Sequence, residues 1–262
     1  MTKRKKYILL VLIFIFFYYN LNSQKVDIIV SSEAMTETTI LNNETFKINL
    51  NENDLKNFKS KGFISYGDMG AAGDGKSDDI NFIIATHHIA NEYGLAVRAN
   101  IGAKYFIGGK GKSAIIKTNT NFLNSTFIID DTNVENREAS IFSVESNLNP
   151  ISINGVNRVK KNQDKININL KTSCLITVSD SNIRNYIRYG LNQNNGKPQT
   201  DIFIVDQNGK IDRSSPIIWD FNDITEISAI PIDAKQLIIN GGKFITIANK
   251  APSKYTYYSR NI

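Results

Sequence analysis

Arg184, Tyr186, Arg188 and Tyr189 place two guanidinium groups and two phenol rings within six residues. Guanidinium pairs in two-pronged fashion with carboxylate or sulfate, and aromatic rings stack on sugar faces, so this stretch suits an acidic saccharide. The competing reading is an exposed loop whose charges are simply solvated. Tyr255, Tyr257, Tyr258 and Arg260 form a second such stretch, although that spacing also describes the stacked face of a strand. The remaining reactive residues do not assemble into a catalytic set. Asp130 and Asp131 are adjacent beside a strand, where a period of two sends them to opposite faces, and they read as solvated turn residues. Asp220 and Asp223 flank Phe221 and read as turn acids. His87 and His88 are consecutive on a helix, so one faces the core and the other solvent, which leaves no paired metal or catalytic role. Cys174 lies between Ser173 and Leu175 and reads as a buried, inert thiol. Gly108-Gly109-Lys110-Gly111-Lys112 lacks the residue order and the strand-to-helix setting of a phosphate loop, and reads as a turn.

Composition bounds the rest. The chain has 262 residues, 41% hydrophobic and 21% charged, which is enough apolar matter for a substantial core and excludes general disorder. A single cysteine rules out an internal disulfide, and two histidines rule out a multi-histidine metal centre. The formal charge is +6, but Lys3, Arg4, Lys5 and Lys6 supply four of the positives. Beyond residue 23 the chain holds 27 basic and 25 acidic residues, a near-neutral body that argues against nucleic acid as a partner. Those four cations precede an apolar run from Tyr7 to Tyr19, and Asn20, Asn22 and Ser23 follow it. At roughly 1.5 Å per residue the run spans about 20 Å, short of a bilayer core of about 30 Å. The expectation is a cleaved secretory signal over residues 1–23 and a mature chain that is periplasmic or secreted.

Residues 24–60 read as a leader segment, with Thr45 to Leu50 alternating like an edge strand. Phe63 to Tyr66 begins a strand, and the run from Gly67 to Gly75 is a turn dense in glycine and aspartate. Ser77 or Asp78 suits a helix N-cap, and Ile80, Ile83, Ile84, His87 and Ala90 recur at helical steps as far as Tyr93, with Gly94 as the stop. Beyond residue 110 come many short strands separated by Asn, Asp, Gly and Ser, the pattern of a sandwich, barrel or solenoid. Asn208-Gly209 is a tight-turn signal, and residues 181–225 read as a hairpin excursion.

The stretch from Tyr66 to Asp79, its helix, and Gly102-Ala103-Lys104-Tyr105-Phe106-Ile107 resemble the N-terminal element of the pectate-lyase-like superfamily. That element reads D-x-G-A-x-G-D-G-x-x-D-D, then a helix, then P-x-G-x-Y-x-[IL]. Here Asn100-Ile101 stands where the family has its proline-rich corner. The resemblance covers Tyr66 to Ile107, under a fifth of the chain. It implies an all-β fold, a right-handed parallel β-helix with an N-terminal capping helix, over residues 61–262. It also implies an exported protein acting on, or binding, acidic polysaccharide. Lysis in that family uses a Lys or Arg base with the uronate carboxylate neutralised, whereas hydrolysis needs two carboxylates about 5 to 9.5 Å apart. The family places these groups on central coils, and no such set is visible here, so the expected groove is absent or incomplete. The alternative is a non-catalytic glycan-binding or surface-attachment module. On this reading Gly70, Gly73, Asp74, Gly75, Asp78 and Asp79 are structural, forming the turn and the helix cap, and calcium enters by family analogy only. The final residues, Tyr258 to Ile262, read as the start of a further strand, so a longer β-helix is expected.

Overall fold

Apolar residues alternate with polar ones along most of the short strands, so each strand has one face to bury. A computed structural model describes residues 25–33, 35–40, 45–108, 111–134, 140–191 and 193–248. The expected export segment, Gly109-Lys110 and the stretch from Tyr255 to Arg260 lie outside the described residues. The class is all-β, with many strands and few helices. Contacts divide the chain into two units: residues up to Glu145 together with those from Leu237, and Ser146–Gln236.

The first unit opens with β1 (Lys25–Ser31), β2 (Glu37–Ile40) and β3 (Thr45–Asn51). The segment expected to be a leader is thus a sheet in the order β1-β3-β2. The strand read as an edge is the central one, because Ile48 and Leu50 are fully buried. Helix α1 (Glu52–Lys61) follows, which apolar periodicity did not reveal. Asn51 caps it by accepting from the Asn53 N–H, Gly62 ends it in left-handed backbone, and Leu55 and Phe58 are its buried residues.

Next come β4 (Phe63–Ser65), a 3₁₀ turn at Gly67–Met69, β5 (Asp74–Asp78) and α2 (Ile80–Tyr93). After these lie β6 (Ala96–Arg98), β7 (Lys104–Ile107), β8 (Ala114–Ile116), β9 (Thr120–Asn121), β10 (Thr126–Asp130) and β11 (Phe142–Val144). The chain then forms β12 (Ile151–Ser152), β13 (Cys174–Asn185), β14 (Lys197–Val205) and β15 (Glu226–Pro231) in the second unit. It returns for β16 (Ile239–Asn240) and β17 (Lys243–Ile247).

In the first unit every ladder from β4 onward is parallel. The sheets are β16-β9-β6-β4, β17-β10-β7-β5 and β11-β8, visited in rotation by successive passes of the chain. Lys104 pairs with Thr126, 22 positions later, and Val97 with Thr120, 23 positions later. Buried residues of neighbouring passes fall in register, as with Tyr105 and Phe127. Tyr66, Tyr105, Phe122, Phe127, Phe142 and Phe244 interlock at centroid distances of 5.1 to 6.2 Å. Helix α2 packs against β4, β6 and β8 and buries Ile80, Ile83, Ile84, His87 and Ala90, the expected face, together with Ala85, Thr86 and Ile89.

The glycine–aspartate corner is tied together by its carboxylates. Asp74 accepts from the N–H groups of Lys76 and Ser77 and from the Ser77 hydroxyl, which holds it below the usual carboxylate range. Asp78, rather than Ser77, reaches the helix start by accepting from the Ile80 N–H at 3.2 Å. Asp79 occupies the cap position but turns its fully buried carboxylate back to the corner, accepting from Ala72 N at 2.7 Å and Gly73 N at 3.1 Å. Burial raises Asp79 despite those two bonds. Gly70, Gly73 and Gly75 all take left-handed backbone. At Gly73 a Cβ would also stand 3.0 Å from that of Ala103 in the next pass.

His87 is the core-facing histidine of the expected pair. Its Nε2 lies 2.9 Å from the Tyr66 hydroxyl, and burial lowers its pKa from 6.5 to about 3. His88 is half-buried, and burial lowers it while the Glu92 charge opposes the shift.

Two outcomes follow. In Asp79→Asn an amide group would face a backbone N–H, so thermal unfolding should show a loss of about 1–3 kcal/mol. Between pH 6.5 and about 3 the unfolded chain binds a proton on His87 that the folded chain refuses. Stability should therefore fall with decreasing pH across that window by up to about 1.4 kcal/mol per unit, and unfolding of His87→Gln should lack this component.

Candidate functional site

The second unit is antiparallel, with strand order β12-β15-β13-β14. Residues 156–170 and 207–224 cross-pair through Val159–Phe221 and Lys165–Lys210 bridges. Val159, Ile166, Cys174, Ile176, Phe203 and Phe221 share one buried apolar cluster. The antiparallel unit is therefore wider than the excursion expected over 181–225. Asn208-Gly209 does turn the chain, with Asp206 N–H donating to Lys210 O and Gly209 N–H to Asp206 O. Its ladder, however, is the single Val205–Ile211 bridge, while β14 pairs along its length with β13.

That pairing makes the long hairpin on which the sequence-selected residues sit. Cys174, Ile176, Val178 and Asp180 alternate inward, the register shifts between Asp180 and Arg184, and pairing resumes at Arg184–Pro198 and Asn185–Lys197. Beyond it the chain turns through Tyr186 at φ +58° and crosses at an Arg188–Asn194 bridge. It returns through Gly196 at φ +70°, where a Cβ would lie 2.2 Å from the Asn185 carbonyl oxygen.

Arg184 donates from Nε to Asn195 O at 3.1 Å and from Nη2 to Gly196 O at 2.8 Å. It therefore braces the loop, and its charge stays at the neck. Tyr186 and Tyr189 are each 85% exposed and Leu191 is 94% exposed. Among the described residues the Arg188 side chain has no partner. Residues 181–200 contain Arg184, Arg188 and Lys197 and no acid. Trp219, which sequence reasoning did not single out, is 47% exposed. The carbonyl of its neighbour Asp220 accepts from Gln199 Nε2 at 3.0 Å, which sets Trp219 beside the hairpin neck. Its signal was available: it is the only tryptophan of the chain and directly follows Ile217-Ile218.

An open depression of about 570 Å³ on the same unit has Lys210 and Arg213 in its wall. The acids beside them serve their own turns. Asp206 accepts from the N–H groups of Asn208 and Lys210. Asp212 accepts from the Ser214 N–H and hydroxyl, which holds it below the usual carboxylate range.

The other selected residues do not converge. Asp130 accepts from the Thr132 N–H, and Asp131 is 1% exposed, so it is a core residue of the first unit and not a solvated one. Asp220 and Asp223 are exposed in the second unit, accepting from Lys161 N–H and Asn182 Nδ2. Cys174 is fully buried, and burial pushes its thiol up. Among the described residues no group of three or more His, Cys, Asp or Glu is arranged to hold a metal.

Gly196→Ala cannot be accommodated without moving Asn185, so it should cost more than about 1 kcal/mol and raise amide hydrogen exchange over residues 184–197. No family model and no curated protein matches the chain.

Proposed function

We propose that this is an exported protein built on a right-handed parallel β-helix, which binds acidic polysaccharide through the β13–β14 hairpin without cleaving it. The scaffold reading draws on the parallel ladders in three sheets and on α2 packed against the first passes. The corner from Tyr66 to Asp79, which resembles the pectate-lyase-like element, supports it too. The export reading draws on the cations Lys3 to Lys6 and the apolar run behind them.

The observation that carries the binding reading is Tyr186. A tyrosine in left-handed backbone costs about 1–2 kcal/mol relative to glycine, and hairpin corners ordinarily use Gly or Asn. The ring there is 85% exposed and open to a ligand. With Tyr189 it offers planar faces for pyranose rings, while Arg188 offers a two-pronged donor to carboxylate or sulfate. The non-catalytic reading draws on the selected acids, which lie in separate units and bond locally.

Titration of the whole chain with polygalacturonate and with a sulfated polysaccharide should show binding that weakens as salt rises. Arg188→Ala and Tyr189→Ala should each lower affinity about tenfold at unchanged thermal stability. Neither unsaturated ends nor new reducing ends should accumulate. Absence of binding to both polymers would refute the reading, and release of either kind of end would make the protein an enzyme.

A further inference from the structure

The glycan reading leaves part of the hairpin unused. Leu191 is 94% exposed and Ile187 44%, both within the turn that also carries Tyr186 and Tyr189, and Ile183, 38% exposed, lies just before it in β13. Single exposed apolar residues are ordinary, but Tyr186, Ile187, Tyr189 and Leu191 are four large exposed side chains within six residues of one turn. Aliphatic side chains offer a sugar no ring to stack on and an anion no donor. They do match acyl chains, while tyrosine favours the boundary between headgroup and hydrocarbon.

Charge and rigidity agree with that match. The same hairpin carries Arg188 in the turn and Arg184 and Lys197 at its neck, with no acid between residues 181 and 200, which complements an anionic headgroup layer. Arg184 fixes the returning strand through Asn195 O and Gly196 O, so less conformational entropy is lost when the turn is engaged.

We infer that the hairpin recognises its anionic glycan at a lipid surface: the ligand is an anionic glycolipid, its sugar held by Arg188, Tyr186 and Tyr189 and its hydrocarbon boundary met by Ile187 and Leu191. This rests on the glycan reading above and adds the lipid to it.

The test uses the whole chain and four probes. They are phosphatidylcholine vesicles with sulfated galactosylceramide as the only anionic lipid, phosphatidylcholine vesicles with phosphatidylglycerol instead, phosphatidylcholine alone, and soluble sulfated galactan. The sulfated glycolipid vesicles should bind about tenfold or more tightly, per sulfated sugar, than the soluble galactan. The double variant Ile187→Ser/Leu191→Ser, checked for unchanged thermal unfolding, should lose that gain and keep its affinity for the galactan. Equal affinity for vesicle and soluble sugar, or a double variant that binds vesicles undiminished, would overturn the lipid contact and leave the glycan reading standing. Equal binding to phosphatidylglycerol vesicles with none to the galactan would overturn both, making the partner an anionic lipid as such.

Discussion

A stack of parallel strands has no tight hairpins to set its register, so neighbouring passes must be held by side chains at the corners. Asn100 does this for three of them. Its Oδ1 accepts from the Gly67 N–H of the preceding pass and from the Tyr105 hydroxyl of its own, while its carbonyl accepts from the Ser125 hydroxyl of the next. The Asn100 N–H donates to the same Tyr105 oxygen, so the phenol is fixed in both roles. Each bond is worth about 0.5–1.5 kcal/mol, and together they join the Gly67, Asn100 and Ser125 corners and fix the Tyr105 ring. Through Tyr105 they reach the aromatic cluster, where its ring meets Tyr66 and Phe127 at 5.1 Å.

Proline stiffens a corner by restricting φ. Asn100 ties it to its neighbours instead, so the corner depends on groups from other passes. Asp79 follows the same logic, since its carboxylate gathers two N–H groups of the corner that precedes α2.

Legibility followed how local each device is. The Gly67–Gly75 corner and α2 were readable because glycine, aspartate and the apolar period all lie within one continuous stretch. Helix α1 carried readable caps in Asn51 and Gly62, but only Leu55 and Phe58 mark its buried face, too few for a period. The passes were invisible as a repeat because only two run uninterrupted before the chain departs at Ser146. At the hairpin, residue types pointed to Tyr186, Arg188 and Tyr189, whereas the bracing role of Arg184 depends on carbonyls eleven and twelve positions away. The burial of Asp131 likewise depends on distant chain, since its N–H donates to Ile247 O.

The placement of the antiparallel unit between β11 and β16 bears on how the molecule is made. Thr120 pairs with Ile239, so that ladder cannot begin until more than a hundred further residues have left the ribosome. Closing so long a loop is slow while it remains random coil. Residues 146–236 have their own apolar cluster and can condense during synthesis, which shortens the search. Until then β9 and β10 present bare ladder edges to the cell, and the nascent chain is most exposed to aggregation in that interval.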